Sequence, residues 1–123
     1  MNSFLLFALI ACIGFAAAET YTDRYDSIDI DEILANKKIL ISYIKCALDQ
    51  GQCTGEGKAV KSNIQDGMQN GCLKCTPKQR QGARKVVNHL KENEADYYKQ
   101  LLEKYDPENK YKSTYEAFLA QKE

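Results

Sequence analysis

The stretch Cys72-Leu73-Lys74-Cys75-Thr76-Pro77-Lys78-Gln79, running on through Arg80-Gln81-Gly82-Ala83-Arg84-Lys85-Val86-Val87-Asn88-His89-Leu90, decides how this chain is to be read. Thr76 offers a capping hydroxyl, Pro77 takes the first helical position, where an N–H would have no partner, and Gln79 can reach back to the amide of the cap. Behind that start Ala83, Val86, Val87 and Leu90 recur at helical spacing and form one apolar stripe. A helix therefore opens at residue 77, with two cysteines standing just before it.

The same grammar extends in both directions. Upstream, Asp29-x-x-Glu32 reads as a capping box for a short helix near 29–36, and Asn36 caps a second over about 37–49, with Leu40, Tyr43, Ile44 and Ala47 apolar and Cys46 on it. Gly51 reads as the end of that helix. After the glycine-rich residues 51–57, Val60, Ile64 and Met68 define a third helix that closes at Gly71. Downstream of the fourth, Tyr98, Leu101, Leu102 and Tyr105 mark a fifth up to Asp106-Pro107, and Tyr111, Tyr115, Phe118 and Leu119 mark a sixth. Alternating strand-like runs are absent. The expected fold is all-α: six short amphipathic helices in one compact domain, each burying its stripe in a common interior.

The N-terminal run from Phe4 to Phe15 is uncharged and apolar, and Ala16 and Ala18 follow it as small residues. It reads as a signal peptide over residues 1–18, cut before Glu19, which predicts a secreted, extracellular product. Residues 19–123 then form a single domain, too short for two cores. No second stretch is long and apolar enough to predict stable membrane insertion. With 17 basic and 17 acidic residues and no long run of one sign, the chain lacks the electrostatic footprint of nucleic-acid binding.

Of five cysteines, Cys12 departs with the signal, leaving Cys46-x6-Cys53-x18-Cys72-x2-Cys75. An even number in an oxidising compartment favours two disulfides. The residues themselves leave all three pairings open; pairing of sequence neighbours, Cys46 with Cys53 and Cys72 with Cys75, is the expectation carried forward. Closing loops this short stabilises by only about 2 kcal/mol each, so such bridges pin turns. A four-cysteine zinc site is the competing reading, but six residues between the first two cysteines exceed the usual ligand spacing. A redox Cys-x-x-Cys enzyme lacks its α/β context.

His89 is the single histidine, no pair of carboxylates stands out as acid and base, and Gly55-x-Gly57 is not a phosphate loop. Neither catalysis nor a cofactor is expected. Eight tyrosines and no tryptophan are present, with Tyr97, Tyr98, Tyr105, Tyr111 and Tyr115 in the last third. Ordinary packing explains such a stripe, and so does the lining of a pocket that holds a greasy chain yet satisfies a polar head. Met68 is a flexible gap-filler that serves core and cavity alike. Lys74, Lys78, Arg80, Arg84 and Lys85 read as a solvated basic face, or, more sharply, as the source of a cation for a fatty carboxylate at a pocket mouth.

The cysteine spacing on a chain of this length resembles the arthropod chemosensory proteins, the OS-D-like family. Tyr21-Thr22-Asp23-Arg24-Tyr25-Asp26 is similar to that family's N-terminal motif, residues Asp31 to Lys37 to its first-helix signature, and Lys104-Tyr105-Asp106-Pro107 to the segment before its final helix. The resemblance implies six helices around a hydrophobic channel and disulfides between sequence neighbours. It also implies binding of small hydrophobic molecules: fatty acids and long-chain alcohols, aldehydes or esters, odorants and pheromones included. Carried over position by position, it points to Tyr25, Ile28, Tyr43, Ile44, Val60, Ile64, Met68, Val87, Leu90 and Tyr98 as pocket lining. Gly55 departs from a frequent proline, and Tyr98 and Tyr111 from frequent tryptophans. A secreted, monomeric carrier is expected; the other reading is a secreted structural or signalling protein acting through its helical surface in development or defence.

Overall fold

Side-chain caps fix where the first four helices start. A computed structural model describes residues 20–121, and among these there are six α-helices and no strand: α1 (Ile30–Ala35), α2 (Lys37–Ala47), α3 (Gly55–Asn70), α4 (Pro77–Asn93), α5 (Ala95–Tyr105) and α6 (Lys112–Ala120). Asp29 accepts from the Glu32 amide at 3.2 Å, Asn36 from Ile39 at 3.3 Å, and Thr54 from Gly57 at 3.0 Å. At α4 both halves of the capping box form: Thr76 Oγ1 accepts from the Gln79 amide, and Gln79 Oε1 from the Thr76 amide, each at 3.1 Å. Each cap supplies a partner to an amide that the helix cannot satisfy internally.

Two boundaries differ from the sequence reading. The left-handed residue that ends α2 is Asp49, with φ 60°, and not Gly51. Its amide donates to Cys46 O at 3.1 Å and that of Gln50 to Lys45 O at 2.8 Å, the paired closure of a helix end that usually employs glycine. Asp tolerates this conformation better than most residues, and here Lys61 of α3 and Lys104 of α5 both bind its carboxylate. Those contacts, the hydrogen bond with Lys104 foremost, push the Asp49 carboxyl down to about 2. The third helix also begins earlier than its apolar repeat, at Gly55, because Thr54 is already a cap. Gly57 lies in that first turn, buried, where a Cβ would come within 3.2 Å of Cys46 Sγ. A glycine that looks like loop from sequence thus lets α3 sit against the first disulfide.

Cys46 pairs with Cys53 and Cys72 with Cys75, with Cα atoms 5.0 and 5.1 Å apart. The first ties α2 to the entry of α3; the second stiffens the turn between α3 and α4. Helix α2 packs against α3, α4 against α5, α1 against both α2 and α4, and α6 against α3 and α4. The buried apolar residues do not form one core. One cluster gathers Cys72, Cys75, Tyr115, Phe118 and Leu119; the other gathers Leu40, Ile44, Leu48 and Leu90.

The N-terminal segment is strapped across the start of α4. Gln79 Nε2 donates to Thr22 O at 2.7 Å and to Asp26 Oδ1 at 2.9 Å, Thr76 Oγ1 donates to Asp26 Oδ2 at 2.8 Å, and Tyr21 N donates to Lys74 O at 2.9 Å. Lys104-Tyr105-Asp106 forms a second latch. Tyr105 donates to Ala47 O at 2.6 Å, and the buried Asp106 carboxylate accepts from the amides of Lys110 and Tyr111 at 2.9 and 3.0 Å. The reading of residues 1–18 as a signal peptide lies outside the described residues. Among the described ones, no helix is long and apolar enough to cross a membrane.

Candidate functional site

Between the two clusters lies a cavity of about 420 Å³, a size typical of small-molecule sites. All ten positions carried over from the family resemblance line it. Tyr25 and Ile28 come from the N-terminal strap, Tyr43 and Ile44 from α2, and Val60, Ile64 and Met68 from α3. Val87 and Leu90 come from α4, and Tyr98 from α5. Helical spacing explains the convergence, since 60, 64, 68 and 83, 87, 90 each keep one face toward the interior. Val60 is 53 % exposed, so it stands at the rim while its neighbours face inward.

Several lining residues were not singled out from the sequence as pocket positions: Tyr21, Ile30, Ala83, Val86, Leu101, Leu102, Tyr115, Phe118 and Leu119 among them. Those of α4, α5 and α6 sit on the apolar stripes read from the sequence, and periodicity marks them as buried without saying whether they meet protein or open space.

The wall is apolar with a few polar points. Tyr21 spends its hydroxyl on Asp66, donating to Oδ2 at 2.6 Å. Burial, and then that carboxylate, pushes its phenol up to about 12, while the same bond lowers Asp66. Tyr98 is also pushed up to about 12, chiefly by burial, with Tyr115 and Glu116 adding to it. Of the basic residues noted in sequence, only Lys78 reaches the cavity wall. Lys74 pairs with Asp66 at 3.6 Å, Lys85 pairs with Asp31, and Arg80 donates to Cys75 O at 2.9 Å.

Arg84 corrects the reading of a solvated face. It is 7 % exposed, donates from Nε to Phe118 O and from Nη2 to Gln121 Oε1, both at 2.9 Å, and lies over the Phe118 ring at 4.4 Å. A second depression, of about 430 Å³, is bordered by Asp49, Lys58, Lys61, Lys104 and Tyr105. Its Lys61 and Lys104 are occupied by Asp49, so the apolar cavity is the stronger site. No group of three or more His, Cys, Asp or Glu side chains is placed to hold a metal among the described residues, and all four cysteines are bridged, which removes the zinc alternative.

The raised phenols carry a testable consequence. Below pH 10 both folded and unfolded chains hold these protons; between 10 and about 12 the unfolded chain releases them first. The stability that Tyr21 and Tyr98 contribute is therefore complete below 10 and is lost as pH rises toward 12. In a phenolate absorbance titration, these tyrosines are expected to ionise later than in urea-unfolded protein, and Tyr98→Phe should remove part of the late step. Identical folded and unfolded curves would refute the assignment.

The geometry matches what comparison with known proteins finds. A chemosensory protein solved in complex with bromo-dodecanol is 46 % identical and superposes with a TM-score of 0.73, covering 80 % of this chain and 98 % of that one. Allergen Tha p 1 of Thaumetopoea pityocampa is 42 % identical over 85 % of this chain and 83 % of its own. Ejaculatory bulb-specific protein 3 of Drosophila melanogaster is 39 % identical over 95 % and 93 %. The model of the insect pheromone-binding family A10/OS-D matches residues 21–113, and on these grounds the chain belongs to that family.

Proposed function

We propose that this protein is a secreted, monomeric carrier that binds one long-chain apolar molecule, a fatty acid, alcohol, aldehyde or ester, between its two core clusters. The observation that carries the reading is the apolar cavity itself, which parts the hydrophobic interior at a place where a chain this small would otherwise close one core. The relative bound to bromo-dodecanol adds support, since its ligand has the same character. Ten cavity positions, Tyr25, Ile28, Tyr43, Ile44, Val60, Ile64, Met68, Val87, Leu90 and Tyr98, are proposed to contact the ligand.

Burying a chain of about fourteen methylenes contributes roughly 11 kcal/mol at ~0.8 per group. Association and ordering take back several of these, which leaves micromolar affinity, about −8 kcal/mol. Binding of this kind rests on shape and apolarity, so it tolerates a range of tails. The test is displacement of a fluorescent naphthylamine probe by C12 to C18 ligands, together with mass spectrometry of lipid that co-purifies from the native source. Micromolar displacement supports the carrier; a protein that takes up neither probe nor lipid would instead favour action through its helical surface.

A further inference from the structure

Every polar group in the cavity wall raises the question of what satisfies it. Four cavity tyrosines, Tyr25, Tyr43, Tyr98 and Tyr115, make no protein hydrogen bond through their hydroxyls among the described residues, and Tyr98 and Tyr115 are the two of these whose phenols burial pushes up. Tyr98, on α5, packs with the Leu40, Ile44 and Leu90 cluster; Tyr115, on α6, belongs to the Cys72, Cys75 and Phe118 cluster. Both line the cavity, one from each half of the divided core. Tyr21 and Tyr105 bond to protein acceptors, but among the described residues neither the Tyr98 nor the Tyr115 hydroxyl has a protein hydrogen-bond partner. Neither is a sealed, orphaned atom either, so both open on space that something else can fill. A phenol held this way is a donor awaiting an acceptor.

The surroundings select among acceptors. Tyr98 feels the negative charge of Glu116, and Tyr115 feels Asp106 and Glu116. Carboxylates on this side oppose an anionic head and leave a neutral oxygen unaffected. Lys78, the one cation on the cavity wall among the described residues, sits at the start of α4, whereas α5 follows the end of that helix.

Resting on the carrier reading, we propose that the Tyr98 and Tyr115 hydroxyls form an internal head-group site that holds the neutral oxygen of a long-chain alcohol, aldehyde or ester and rejects an ionised carboxylate. The two phenols reach that oxygen from opposite halves of the core, so a seated head joins what the cavity separates. A neutral ligand enters head first; an ionised fatty acid leaves its head near Lys78.

The experiment compares dodecane, 1-dodecanol and dodecanoate by probe displacement on the full chain, in the parent, in Tyr98→Phe with Tyr115→Phe combined, and in Lys78→Gln. Dodecanol is expected to bind the parent about tenfold more tightly than dodecane, the equivalent of one or two hydrogen bonds. The double phenylalanine variant should close that gap, so that dodecanol and dodecane bind it alike, and Lys78→Gln should lower the affinity for dodecanoate relative to dodecane within the same variant. Equal affinity of the parent for dodecane and dodecanol, or a double variant that keeps the preference for alcohol, would overturn the head-group site and leave the carrier intact. Failure of all three ligands on the parent would overturn the carrier reading and this site with it.

Discussion

Val87→Trp is expected to weaken binding of a long-chain ligand by roughly a thousandfold while leaving the melting temperature of the unliganded protein unchanged or higher. Val87 sits in the fourth helix, packs at the edge of the cluster around Cys72 and Tyr115, and faces the cavity. An indole projected from that position takes the space of about five methylenes of ligand. At ~0.8 kcal/mol each the loss is about 4 kcal/mol, and 1.4 kcal/mol is a factor of ten. In a filled core the same substitution overpacks and costs about 1–3 kcal/mol; into a cavity of about 420 Å³ it adds contacts and displaces nothing. The two expectations have opposite signs for stability, so the variant distinguishes a hollow from a core. Calorimetry with and without dodecanol measures both. For the parent, ligand at a hundredfold excess over Kd adds about 2.7 kcal/mol of stability, and the variant should show none of it. A variant that unfolds at much lower temperature, or binds as before, would mean that Val87 touches packed protein.

Much of this arrangement is legible in the sequence because it is local. The capping box of Thr76 and Gln79, the Asn36 cap and the Gly71 terminus each act within a few residues, and each is found where spacing places it. The stripe Val60, Ile64, Met68 names an inward face by period alone. What periodicity cannot separate is a face packed on protein from a face bordering empty space, because both demand the same apolar residues. Only the family resemblance distinguishes ten of these positions as pocket lining.

The misread residues share a different cause, which is that their partners are distant in sequence. Asp49 ends its helix in a left-handed conformation with lysines 12 and 55 residues away on its carboxylate. Gly57 looks like a linker residue until Cys46 is brought against it. The Lys104-Tyr105-Asp106 motif gives no hint that its first two residues latch onto the end of the second helix.

Arg84 is the sharpest of these cases, and Arg84→Met is expected to destabilise the fold by about 3 kcal/mol. In sequence it is one cation in a basic run; in the fold it reaches the last helix, 34 residues on, and holds its end at Phe118 O. A second bond to Gln121 and the stacking on Phe118 complete the clamp. Charged hydrogen bonds of this kind contribute about 1.5–3 kcal/mol each and do not add fully, which sets the size of the effect. Methionine keeps most of the apolar stem, so the loss reports the guanidinium and not a missing volume. Arg84→Lys should recover only a minor part, because a single ammonium cannot reproduce the planar fork. Urea unfolding gives the total, and hydrogen exchange locates it: amides of the last helix should lose protection while those of the second helix keep theirs. Ligand affinity should fall in step, since Tyr115, Phe118 and Leu119 form one wall of the cavity and stay in place only while that helix is held. If Arg84→Met matches the parent in urea and in exchange, the clamp is incidental, and the last helix must be held by its apolar face alone.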